Sequence, residues 1–547
     1  MKASVHILIF GFILTSCNVS IDQEIQNKAT NEHPNILLVV VDDMGWTDTQ
    51  PFGGEIHTPT IAGLAKNGML FTEFHTSVSC SPTRSMLLSG TDNHLAGLGN
   101  MGELLSPSQV GKPGYEGYLN SKVVSLAEVL KDAGYHTYMG GKWHLGHGES
   151  NIPGARGFEK TLSLLNGGAS HFDDMAGLTA AEHVEYTLNG KKIKELPKDF
   201  YSTRSFTDFL INAIRDQEDD KPFFAYLAYS APHDPLHVPE PWMSKYRGLY
   251  DEGYEVLRSK RVAKVKELGL IPDEAKIPAY HQQVISWESF TDEEKAMESR
   301  KMEVYAGMVD NVDYHMGRML NFLSDIDELD NTIILFLSDN GSNPWNNSQY
   351  PGNDDGVYLS QFDNRLENIG NPTSHSAYGI GWASAGSGPF DYFKMTVGEG
   401  GIRTPLIMSG PGISKGEVHK SFVYVTDIMP TLLEMTGAEY PDTYKGNEVL
   451  SMKGKSFSKV LSGEKEALYA ESDYIAGEMQ NGKWIRKGNL KAVYVTLPYG
   501  SNKWALYDLA TDPGETRDLS ATKPDILSEL ISEWEKYSEE VGVVLMD

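Results

Sequence analysis

At 547 residues the chain exceeds one small domain, and 40% apolar residues suffice for a large core. A net charge of −28, from 75 acidic against 47 basic residues, argues against nucleic acid as a partner, because phosphate binding needs a cationic surface. An anionic substrate would need a local cationic pocket. Two cysteines rule out a disulfide framework, so each thiol is read for itself.

Residues 1–17 carry Lys2 as a short positive region and an apolar core from Val5 to Leu14. That core is shorter than the about 20 residues that span a bilayer and has the length of a signal-peptide h-region. Leu14-Thr15-Ser16-Cys17 resembles a bacterial lipobox, in which the cysteine is lipidated; the plainer reading is a secretory signal with an incidental cysteine. The expectation is a lipoprotein signal over 1–17, a polar tether over 18–33, and an exported lipoprotein. It would be periplasmic or outer-membrane associated and would meet the membrane through its lipid anchor alone.

Pro34 to Val41 is a short, continuous apolar run that reads as a buried parallel strand and stops at Asp42-Asp43. Phe223 to Tyr229 is a similar run before Pro232-His233-Asp234. Thr332 to Leu337 is another, before Ser338-Asp339-Asn340-Gly341. Open α/β sheets build sites just past such strand ends. Helical patterns cover Val124–Ala133 and Glu303–Leu323. After about Leu450 short mixed segments, Lys491–Thr496 and Trp504–Leu509, precede an amphipathic helix from Pro524 to Val541. The division is therefore a catalytic domain over 34–450 and an antiparallel-sheet subdomain with a terminal helix over 451–547.

Cys80-Ser81-Pro82-Thr83-Arg84 reads as the start of a helix, since Pro82 suits a first turn. The thiol would sit at a helix N-terminus with Arg84 on the same face, which fits a thiolate nucleophile or a buried structural cysteine equally. Asp42, Asp43, Asp339 and Asn340 are hard oxygen donors from two strand ends, suited to calcium or magnesium rather than zinc; the alternative is that Asp42-Asp43 is a polar turn after a strand. If Gly141 to Leu145 is extended, Lys142 and His144 share a face; otherwise they are a surface lysine and a core histidine. Asp92-Asn93-His94 could contact substrate or could cap and turn. The basic run Arg258–Lys266 reads as a solvated helix face, and Trp46 and Trp345 as core or as a sugar platform.

Cys80 to Arg84, continuing through Ser85-Met86-Leu87-Leu88-Ser89-Gly90, is similar to the maturation motif of type I sulfatases, where the cysteine of C-x-P-x-R is oxidised to formylglycine by a separate enzyme. Other segments resemble that family in the same order. They are Asn35–Asp43 with Gly45, Gly141–Gly146, Ala231-Pro232-His233, Ser338–Gly341, Glu399–Pro405, and Leu506–Leu509 with Asp512–Glu515. Ser89–Met101, Gly114–Asn120 and His233–Glu267 look nearest the branch containing bacterial alkyl/arylsulfatases.

The resemblance implies an alkaline-phosphatase-like α/β fold, with a mixed central sheet flanked by helices and a smaller C-terminal α+β subdomain. It implies one calcium per chain, with magnesium possible, at Asp42, Asp43, Asp339, Asn340 and residue 80. It implies a catalytic set of Cys80, Arg84, Lys142, His144, His233 and Lys394; Lys394 stands six residues before Gly400-Gly401. In the implied mechanism hydrated formylglycine attacks sulfur, His233 is the general acid, and His144 deprotonates the second hydroxyl to expel sulfate. The expected substrate is a sulfated carbohydrate or an aryl sulfate. The rival readings are a phosphonate or phosphodiester hydrolase of the same superfamily and an inactive, lipid-anchored glycan-binding protein.

Overall fold

The computed structural model describes Met1 and residues 33–180 and 184–547. Cys17, the leader and nearly all of the tether lie outside the described residues. Among the described residues no helix is long and apolar enough to cross a membrane.

The strand Asn35–Val41 shows why the chain folds in layers. Leu37, Val39 and Val41 enter one core, and Ile36, Leu38 and Val40 enter another on the opposite face. A strand apolar on both faces must be covered on both, and it lies at the centre of a ten-stranded sheet. Its parallel neighbours are Thr332–Ser338 and Phe223–Ala228, the other two apolar runs. His136–Lys142 and Lys160–Leu164 extend the parallel part. Beyond them Tyr186–Leu188 and Lys191–Ile193 pair antiparallel. On the other side Leu406–Ser409 pairs antiparallel with both Thr332–Ser338 and Gly68–Phe71, and Glu417–His419 closes that edge. The sheet is mixed, as expected.

Helices cover both faces. Ser202–Arg215, Tyr254–Glu267 and Asp292–Asp325 pack on one; Cys80–Ser89, Leu126–Asp132 and Ile428–Thr436 pack on the other. The helix expected from Glu303 begins eleven residues earlier. Thr291 accepts from the Glu294 amide while the Glu294 side chain accepts from the Thr291 amide, a capping box that starts the helix at Asp292.

Tyr474–Met479, Gly482–Lys487, Leu490–Tyr494 and Trp504–Asp508 form a four-stranded antiparallel sheet. Ala476, Ile485, Ala492 and Leu506 pack under Leu530 and Trp534 of the helix Pro524–Val541. The alternate residues Trp484 and Val493 turn the other way and join the core of the large domain. The subdomain is therefore joined to the large domain through apolar burial as well as through the chain.

The basic run Arg258–Lys266 corrects the expectation of a solvated face. Arg258 and Arg261 are buried. Arg258 donates to the carbonyls of Gly388, Pro278 and Phe390, and Arg261 pairs with Glu55 at 2.7 Å and with Asp48. Lys260 and Lys264 keep the solvated position. Trp46 is core, packed edge-on to Phe52 and Phe390.

Candidate active site

Cys80 is the first residue of the helix Cys80–Ser89, with Pro82 and Arg84 in its opening turns. The helix start does not produce a thiolate. Burial pushes the thiol well above its ordinary range, against the attraction of Lys142 and Lys394. That direction disfavours a thiolate at an unmodified Cys80. Its Sγ lies 3.4 Å from Lys394 Nζ and 3.8 Å from Asp43 Oδ1.

The carboxylates come from the ends of the two central strands. Asp42 and Asp43 follow Val41, and Asp339 follows Ser338, which pairs in register with Val41. Asp42, Asp43, Asp339 and Cys80 each bring one ligand atom within 4.8 Å of the others. Cations compensate them. Lys142 Nζ donates to both oxygens of Asp42, at 3.0 and 2.8 Å. Arg84 holds Asp339 Oδ2 through Nε at 2.8 Å and a terminal nitrogen at 2.7 Å. Lys394 Nζ bonds Asp43 at 2.9 and 2.8 Å. Burial opposes the charge of Asp42, but Lys142, His233 and Arg84 hold its pKa well below the carboxylate range. Burial and neighbouring Asp42 push Asp339 up to about 6. Such crowding of three carboxylates suits a hard cation. Asn340 adds an amide oxygen, Oδ1, that is buried without a hydrogen-bond partner, while its Nδ2 donates to Asp43 Oδ1 at 2.7 Å. Three carboxylates and an amide oxygen form a donor set for calcium or magnesium, and the residues fit that ion.

Backbone geometry fixes these groups. Asp43, His144 and Met395 have φ of 66°, 56° and 68°, a left-handed conformation that costs a non-glycine residue energy and gathers at functional sites. The two glycine motifs meet face to face. A Cβ on Gly341 would stand 2.0 Å from the Gly400 carbonyl oxygen, and Gly341 N donates to Gly401 O at 3.0 Å. Lys394 N donates to Ser342 O beside that contact, which brings its loop onto the strand end carrying Asp339.

The His144 conformation corrects the extended reading of Gly141–Leu145. The strand His136–Lys142 ends at Lys142, and the chain then turns left-handed at His144. Both side chains still reach the site. Lys142 lies in its buried floor, and His144 lines a cavity of about 310 Å³ with Cys80, His233 and Lys394. His144 Nε2 lies 3.0 Å from Glu103 Oε1, and its Nδ1 is buried without a partner. Burial lowers its pKa, outweighing the attraction of Glu103. His233 goes the other way. Burial opposes its charge, but Asp43, 3.3 Å from Nε2, and Asp234, 3.0 Å from Nδ1, raise it to about 9.

The residues expected for catalysis and for the metal converge there: Asp42, Asp43, Cys80, Arg84, Lys142, His144, His233, Asp339, Asn340 and Lys394. Trp345 lines the cavity, stacked edge-on to Tyr350, so of the two tryptophans it is the one placed to meet a ligand. Asp92 and His94 stand elsewhere. Asp92 caps a short helix and binds His94, and His94 Nε2 binds Glu478 of the C-terminal sheet at 3.0 Å. Glu103, Asp234 and Tyr350 were not singled out in the sequence. Asp234, next to His233, carried a signal in its position; Glu103 carried none.

Residues 34–438 match the family profile described as Sulfatase, and residues 388–539 match one described as N-sulphoglucosamine sulphohydrolase, C-terminal. An uncharacterized sulfatase of Schizosaccharomyces pombe is 44% identical over 530 residues, covering 94% of this chain and 95% of that protein. An arylsulfatase of Klebsiella aerogenes is 38% identical over 450 residues, covering 81% and 96%. The solved structure of PsFucS1 sulfatase from Pseudoalteromonas sp. superposes with a TM-score of 0.62 at 20% identity, covering 93% of this chain and 90% of that one, a likeness of fold.

Proposed function

The chain belongs to the sulfatase family and is a sulfuric ester hydrolase, and we propose that Cys80, converted to formylglycine, is its nucleophile, served by the residues gathered around the thiol. Sγ marks where the oxygens of the converted, hydrated residue would stand. One hydroxyl attacks sulfur, and the other, once deprotonated, drives sulfate off and restores the aldehyde. Arg84, Lys142 and Lys394 neutralise the sulfuryl oxygens. His233, with Asp234 on Nδ1 favouring its imidazolium, donates a proton to the leaving oxygen. His144, held neutral by burial, takes the proton of the second hydroxyl. Asp42, Asp43, Asp339 and Asn340 would hold one calcium, which supplies positive charge to the sulfuryl group and the nucleophile.

The observation that carries this reading is the meeting of three carboxylates and three cations at one buried cysteine, whose thiol burial pushes away from the thiolate. Met101, Leu104, Leu178 and Trp345 give the cavity apolar walls. The substrate is a sulfated sugar unit or an aryl sulfate. Maturation requires a separate enzyme acting on Cys80. The leader fits an exported lipoprotein anchored through Cys17. The test is kcat/KM on sulfate, phosphate and phosphonate esters of one leaving group. Sulfate is expected to be preferred by orders of magnitude, and a phosphonate preference would replace the reading with that of a phosphonate hydrolase.

A further inference from the structure

Glu103 belongs to no part of the chemistry described so far, yet its carboxylate touches a catalytic histidine. It sits in the short turn Gly102–Leu104, half-exposed at the cavity, with Oε1 3.0 Å from His144 Nε2. A carboxylate oxygen can only accept, so the proton of a neutral His144 resides on Nε2. Nδ1, buried and without a partner, is left with its lone pair free. Gly167 leaves space for this arrangement: a Cβ there would stand 2.7 Å from His144 Cε1 and 2.9 Å from Nε2.

The turn that carries Glu103 is held firmly. Asn100 Nδ2 donates to Leu104 O at 2.8 Å and to Gln109 Oε1 at 2.9 Å. Gln109 Nε2 donates in turn to Val544 O at 2.9 Å, so the end of the C-terminal subdomain braces the turn.

We propose that Glu103 is a positioning residue for His144: it fixes the imidazole as the Nε2–H tautomer and presents Nδ1 as the base that accepts the second hydroxyl's proton. The proposal rests on the function assigned above. In that step the O–H proton passes to Nδ1, the C–O bond to sulfate breaks, and the aldehyde C=O forms; no other reactant is consumed. Without Glu103 the ring can rotate or take the other tautomer, and sulfate would remain on residue 80 after the first half-reaction.

The experiment compares wild type, Glu103→Gln and Glu103→Leu, each matured at Cys80. The probes are a nitrophenyl sulfate and a sulfated monosaccharide. Glu103→Leu is expected to lose about 10²-fold in kcat on both probes alike, because the affected step follows departure of the leaving group. After acid quench under turnover, its peptide containing residue 80 should carry one added SO3, which a merely structural defect would not produce. Glu103→Gln keeps an acceptor oxygen and should recover most of the rate. Its acid limb of kcat should move to lower pH by about one unit, since loss of the carboxylate charge makes imidazolium harder to form. Should Glu103→Leu fail to fold, the shifted limb of Glu103→Gln decides. Wild-type kcat without an adduct in Glu103→Leu, or an unshifted limb in Glu103→Gln, would overturn the proposal while leaving a working sulfatase. No turnover of either sulfate ester by wild type would instead overturn the reading on which it rests.

Discussion

Two buried charge clusters in this protein each set three carboxylates against three cations and a histidine, in different arrangements. Around Cys80, Asp42, Asp43 and Asp339 meet Arg84, Lys142, Lys394 and His233. Where the C-terminal sheet joins the large domain, Glu73, Glu399 and Glu515 meet Arg403, Arg486, Lys491 and His75. In the second cluster the signs alternate. Lys491 bridges Glu399 at 2.7 Å and Glu515 at 3.0 Å, and Glu73 lies between Arg403 at 3.3 Å and Arg486 at 2.7 Å. In the first the three carboxylates crowd onto one another, an amide oxygen lacks a partner, and a cavity opens above. Buried charge alone therefore does not mark a site. Carboxylates that converge on one point beneath an open cavity do, because a cation can reach and bridge them.

The comparison is sharpened first by breaking each cluster. Cys80→Ala and Cys80→Ser should each lose about 10⁴-fold or more in kcat/KM while keeping the wild-type melting curve. Asp339→Asn should lose orders of magnitude in rate and retain less bound metal by elemental analysis, since it removes a charged donor. Lys491→Met acts in the opposite sense. It strands Glu515 beside Glu399 and should cost about 3 kcal/mol in denaturant unfolding, with kcat/KM of the folded enzyme unchanged.

A smaller effect separates the two histidines of the site. His233→Ala should slow a sulfated sugar about 10²-fold more than a nitrophenyl sulfate, because a good leaving group departs without an acid. His144→Ala should slow both alike. Equal losses for His233→Ala on the two substrates would remove it from the acid role.

The smallest effect lies at the second contact between the domains. Burial opposes the charge of His94, but Asp92 and Glu478 raise its pKa from 6.5 to about 9. A raised pKa in the folded state means that the stabilisation is fully present below pH 6.5 and is lost as pH rises through 9. The loss is at most about 3 kcal/mol. His94→Gln should flatten that slope in melting temperatures measured from pH 6 to 9.5.

What the sequence made legible follows the same division. The three central strands could be read because a strand buried on both faces is apolar throughout, as Ile36 to Val41 is. Their polar ends, Asp42-Asp43, Asp339-Asn340 and His233, could be read because a run that stops abruptly marks a strand end. The edge strands Tyr186–Leu188 and Lys191–Ile193 could not, since three residues hold no period and four of the six are charged, polar or exposed. Arg258 and Arg261 looked solvated because their partners, Asp48, Glu55 and the 388–390 carbonyls, are distant in sequence. His144 looked extended because no residue type announces a left-handed histidine. Glu103 was invisible for a related reason: an acidic residue in a turn is ordinary until the fold sets it against a histidine 41 positions away.

The central claim is that the cysteine itself is inert and that its oxidised form does the chemistry. The direct test measures, across preparations matured to different extents, the fraction of residue 80 present as formylglycine by peptide mass and the specific activity on a sulfate ester. The expected result is a straight line through the origin. Substantial activity in a preparation whose residue 80 is entirely cysteine would contradict the account.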